Sequence, residues 1–210
     1  AAFILYLVLA TGRRPDKLLQ ARQVARTRDF QEAGDAYRLG KSGNIYWLYR
    51  HELPPHRLPD KQRRLLDQQR APVVLPVPCG ADVVRPLPDG KEVELKAEEL
   101  LKRINKANLT KLSMSKIADH LANYLHRQGT DDVVIALIAG NSDIQEAGLY
   151  YTQYDTVSIY RVYQRYLETE LRAETPEPDE SKAELGGSQL VVKEQAVIAI
   201  FDHLQKNLQQ

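Results

Sequence analysis

Only one cysteine, Cys79, occurs in the chain. With a single thiol no internal disulfide framework is possible, and the composition fits a reducing compartment, so a cytoplasmic location is expected. Metal chemistry is equally poorly supplied. The five histidines are scattered, and the one pair near ligand spacing, His120 and His126, falls on different faces of any helix that carries both. No metal and no cofactor are therefore expected. Long apolar runs are also missing: Ala1–Ala10 is the longest, and a bilayer-spanning helix needs roughly 20 residues. No membrane partner is expected. That run has neither a basic leader nor a cleavage site, so it does not resemble a signal peptide. A chain that starts inside an apolar helix is expected to be a fragment of something longer. No internal repeat is visible.

What is present is enough for one domain and a tail. With 210 residues, 43% hydrophobic and 27% charged, a sizeable core can be buried. The net charge of +1 conceals an uneven distribution. Residues 173–210 carry three lysines against seven Asp and Glu, or −4, leaving 26 basic and 21 acidic residues, or +5, in the body. A basic body of this size is compatible with a polyanionic partner.

Periodicity and turn residues place the elements. Ala1–Ala10 is expected as a buried helix stopped by Thr11-Gly12, with Pro15 opening the next helix and Arg14 at the joint. Residues 35–50 alternate and are divided by Gly-Lys-Ser-Gly-Asn, which predicts a β-hairpin. Pro59–Arg70 is expected as a basic amphipathic helix, and residues 71–91, rich in Pro and Val, as an irregular connection. Glu98–Lys106 has helical spacing. Ser113 or Ser115 is placed to cap Lys116–Gln128, and Asp131 or Asp132 to cap a helix through Ile138. Tyr150–Leu171 is expected as a long tyrosine-rich helix. Residues 173–188 have the composition of a flexible acidic linker, and 189–210 form an amphipathic helix that has to dock on its own body or a neighbour.

Three segments then stand out together: Thr11-Gly12-Arg13-Arg14, the hairpin turn holding Lys41, and the stretch in which Gly129, Gly140 and Tyr150 follow at intervals of eleven and ten residues. In order and spacing these resemble the catalytic domain of the tyrosine recombinases (the phage-integrase family) over residues 1–171. The resemblance implies a mainly α fold with a small antiparallel β-sheet, an α+β class, in a catalytic domain spanning 1–172. It also implies a separate N-terminal DNA-clamping domain, absent from this sequence. By position, Arg14 matches the arginine after Thr-Gly, Lys41 the hairpin lysine, and Tyr150 the nucleophile, with Tyr151 and Tyr154 as alternatives if the register slips. Asn141 stands where the family has His or Trp. Ser115 and Ala118 stand where a His-x-x-Arg box is expected, and neither supplies a charge. Lys111, Lys116 and His120 are the nearby groups available to replace it.

The implied activity is breakage and rejoining of double-stranded DNA through a 3′-phosphotyrosine, without metal or nucleotide. In that reaction the nucleophile needs cations on the non-bridging oxygens and an acid for the departing 5′ oxygen. Arg57, Lys61, Arg63 and Arg64, with Lys111 and Lys116, are candidates for contact with the DNA backbone. A homo-oligomer assembled on DNA through the C-terminal helix is also implied. The missing His-x-x-Arg box leaves a second reading open, an inactive relative that acts as a DNA-binding or assembly module. A helical scaffold without nucleic acid is the third.

Overall fold

The computed structural model describes residues 1–40, 44–51, 59, 61, 64, 66–67, 71–79, 91–140, 153–187 and 191–208. Its class is mixed α+β, with helices dominating. The centre is α1 (Ala2–Thr11), apolar on all sides, as befits a helix surrounded by other elements. Ile4, Leu7, Val8 and Ala10 are fully buried. At about 1.5–3 kcal/mol per large aliphatic side chain, this one helix supplies a substantial share of the core.

Gly12 ends α1 in the left-handed region (φ 69), and Pro15 opens α2 (Pro15–Gln20) as its first residue, with Arg14 at the joint in extended geometry. The chain then forms β1 (Arg22–Gln23), β2 (Gly34–Leu39) and β3 (Asn44–Arg50). The hairpin expected from alternation is present, with Tyr37 opposite Trp47. It belongs to a four-stranded sheet in the order β1-β2-β3-β5, where β5 is Val73–Pro78. Period two sorts the faces: Tyr37, Ile45, Trp47, Tyr49, Val73, Leu75 and Val77 join the main core beneath α1. Ala36 and Leu48 face the opposite way, into a small cluster with Val24 and Phe30.

Helices α3 (Lys91–Asn108), α4 (Met114–Arg127) and α5 (Asp132–Ala139) pack around α1. Ser113 caps α4 by accepting from Lys116 N, and Asp131 caps α5 by accepting from Val133 N. Gly140 ends α5 with φ 68, and Gly129 (φ 71) lies in the turn after α4. Then come β6 (Gln153–Asp155), α6 (Thr156–Glu170), β7 (Leu185–Gly187) and β8 (Val191–Val192), followed by α7 (Glu194–Leu208). Strand β8 pairs with β4 (Leu66–Asp67).

Several expectations need correction. Residues 73–78 are a strand rather than an irregular connection; its prolines are tolerated because β5 lies at the edge of the sheet, where a missing N–H need not break a ladder. Leu66 and Asp67 are in a strand, not in a basic helix. The tyrosine-rich helix starts at Thr156, because Asp155 caps it by accepting from Val157 N and Ser158 N. Helix α3 starts at Lys91 and extends to Asn108, well beyond Glu98–Lys106. Residues 173–188 are not uniformly linker: Glu180–Lys182 form a 3₁₀ turn, and Leu185–Gly187 pair with Gln153–Asp155.

Candidate functional site

The joint between α1 and α2 is built from its own polar atoms outward. A helix end leaves its last carbonyls without intrahelical donors, and those of α1 belong to buried or partly buried residues. Each receives a donor. Leu7 O accepts from Thr11 Oγ1 (2.7 Å), Val8 O from Gly12 N (2.9 Å), Leu9 O from Tyr166 Oη (2.7 Å) and Ala10 O from Tyr163 Oη (2.9 Å). Thr11 O accepts from Arg13 Nη1 at 2.8 Å. The tyrosines that crowd α6 are thus explained by structure: two of them cap α1 from a distance. Burial pushes the pKa of both upward, which keeps their hydroxyls protonated as donors.

Of the two adjacent arginines, Arg13 turns inward and Arg14 outward. Arg13 is 2% exposed. Its Nε donates to Asp35 Oδ1 at 3.0 Å, and the same oxygen accepts from Trp47 Nε1 at 2.7 Å. Its Nη1 donates also to Ile138 O, near the end of α5, and its Cζ lies 5.0 Å from the Tyr49 ring centroid. Nη2 is buried with no hydrogen-bond partner among the described residues. A Cβ on Gly140 would lie 2.5 Å from the Arg13 Cζ, so only glycine fits beside it. Arg14 has an exposed side chain.

Gly12 also lies close against α4 at Ala118 and against the end of α5. A Cβ on Gly12 would lie 3.4 Å from Ala118 O and 3.6 Å from Ala139 Cβ. Three segments far apart in sequence therefore meet: residues 11–14, the first half of α4, and the end of α5. Ala118 is 3% exposed and bears no polar side-chain atom, while Ser115 sits on the exposed first turn of α4. Lys116 is exposed, with Nζ 3.1 Å from Lys111 O, and faces away from Ala118. His120 is engaged with Glu170 at 3.0 Å. None of these three places a charge on the buried Ala118 side.

Tyr154 is described and partly buried. Its hydroxyl is 3.5 Å from Ala71 O, and burial raises its pKa to about 12, an environment that disfavours the phenolate. Lys61, Arg64 and Lys111 are exposed. Lys41, Arg57, Arg63, Asn141, Tyr150 and Tyr151 lie outside the described residues. Among the described residues no group of His, Cys, Asp or Glu could hold a metal ion, and no helix is long and apolar enough to cross a membrane. Sequence reasoning missed Arg13 and Asp35. The signal available was the Arg-Arg doublet at a helix joint, of which Arg13 is buried and Arg14 exposed.

No protein-family model, curated protein or solved structure matches the chain.

Proposed function

We propose that this is a DNA-binding protein of the tyrosine-recombinase type, built to break and rejoin DNA through Tyr150. The carrying observation is the meeting of Gly12, Ala118 and Ala139, since it gathers three sequence boxes at one place. In this reading Tyr150 Oη gives its proton to water as it bonds to the scissile phosphorus, and the bond to the 5′ oxygen breaks as that oxygen takes a proton from Lys41. The 3′-phosphotyrosine that results conserves the bond energy for rejoining. Arg14 and Asn141 hold the non-bridging oxygens, and the exposed Arg14 side chain suits that role. Lys61, Arg64, Lys111 and Lys116 follow the backbone, each phosphate contact adding salt-dependent affinity.

A second reading, a relative that binds DNA without cutting it, draws on Ala118. A cation on a transferring phosphoryl group is worth on the order of 10³–10⁵ in rate, and the buried Ala118 supplies none. A nicked suicide duplex incubated with the whole chain separates the two. A covalent adduct that disappears in Tyr150→Phe supports strand transfer. Salt-sensitive binding without an adduct supports the non-cleaving module, and no binding at low salt overturns both.

Assembly is part of the same proposal. Val197, Ile198, Ile200, Phe201 and Leu204 of α7 are all exposed, an apolar face too large to leave in water. A second copy on the same DNA is the partner we assign to it.

A further inference from the structure

A buried arginine is expensive unless its charge is paired and its donors are used. Arg13 meets most of that requirement by bonding to three separate chain segments. It reaches Asp35 at the start of β2, Thr11 O at the end of α1 and Ile138 O in α5, and its guanidinium lies over Tyr49 of β3. Each segment leads directly to a residue of the proposed site. Arg14 is next in the chain, Lys41 lies in sequence between β2 and β3, and Asn141 comes next in sequence after Gly140, against which the guanidinium is packed.

We infer that Arg13 is a positioning residue: it touches no DNA, but sets the placement of the joint that carries Arg14 relative to strands β2 and β3 and to the end of α5. This rests on the strand-transfer reading above. The residue type suits the task, because a planar fork with five donors serves acceptors in several directions while its face stacks on an aromatic ring. Lysine, a point charge on a flexible stem, cannot do both. Asp35 is the complementary anchor, since one oxygen holds both Arg13 and Trp47 and so ties the fork to the hairpin.

The competing role is a buried ion pair that merely stabilises the fold. Arg13→Met alone strands the Asp35 charge and does not separate the two roles. Arg13→Met with Asp35→Asn removes both charges and keeps an acceptor for Trp47, so most of the lost stability should return. Two measurements on the whole chain then decide. Hydrogen exchange is followed in peptides covering residues 44–50 and 132–140, and the single-turnover rate of adduct formation is compared with Kd on the nicked duplex.

A positioning role predicts loss of exchange protection in both peptides at restored melting temperature. It also predicts an adduct rate reduced by up to about 100-fold, the effect of small misplacements, with little change in Kd. Wild-type exchange in the double variant, or an adduct rate that recovers together with stability, overturns the inference. If the wild-type chain forms no adduct, the strand-transfer reading fails on that result alone. The exchange data then still decide whether Arg13 couples the two segments.

Discussion

Gly12 rests directly on the first half of α4, where a Cβ would meet Ala118 O at 3.4 Å and Leu121 Cδ2 at 3.3 Å. The helix joint that carries Arg14 is therefore set against Ala118 and Leu121 of α4. Both the positive φ and the close approach demand glycine.

Three glycines with similar φ should consequently differ on substitution by alanine. Gly129→Ala meets nothing within 4 Å and bears only backbone strain, about 1 kcal/mol. Gly12→Ala adds contact with backbone oxygen and should cost about 1–3 kcal/mol. Gly140→Ala, with Cβ 2.5 Å from the Arg13 guanidinium, should cost the most. Urea denaturation midpoints of the three variants check the order.

Removing a capping hydroxyl should be felt far along the chain. Tyr163→Phe leaves a buried carbonyl of α1 without its donor and Tyr166→Phe a partly buried one, at a cost of about 1–3 kcal/mol each. Tyr160→Phe loses a bond to the carbonyl of Pro176, an exposed residue that water can serve, and should cost less. Equal effects in all three would show that the α1 carbonyls find other donors.

Alkaline pH should unfold the protein from a definite point. Burial above all pushes Tyr49 and Tyr154 up to about 12 from 10.0, and Tyr163 and Tyr166 upward as well. A raised pKa in the fold means that the unfolded chain loses protons first. The contribution is then complete below about pH 10 and declines above it, by about 1.4 kcal/mol per pH unit for each group. Stability measured by denaturant titration should be flat through neutrality and fall steeply above pH 10. A flat profile to pH 12 would contradict the burial of these hydroxyls.

The α7 face should drive self-association. Phe201 is 63% exposed, at the centre of an apolar stripe. Phe201→Asp should shift the sedimentation profile toward monomer, with the melting temperature of the body unchanged. A wild-type chain that stays monomeric on DNA removes the case for a partner copy.

Local chemistry made much of this legible in the sequence. Gly12, Gly129 and Gly140 end or follow helices because left-handed geometry favours glycine, and Ser113, Asp131 and Pro15 mark helix starts by their own donors, acceptors or ring. Strand β5 was not legible, since Pro76 and Pro78 argue against a strand unless it is known to lie at an edge. The pairings of β6 with β7 and of β4 with β8 were equally hidden, being very short and set by long-range contact.

Residue order alone thus determined the helix joint at Arg14, the hairpin around Lys41 and the spacing from Gly129 to Gly140. In each of these a few neighbouring residues fix the backbone. Only the tertiary structure decided that Arg13 rather than Arg14 turns inward, that Ala118 lies under Gly12, and that the tyrosines of α6 cap α1. Adjacent arginines have the same intrinsic preferences. What separates them is the burial of α1, whose last carbonyls belong to buried or partly buried residues and need donors.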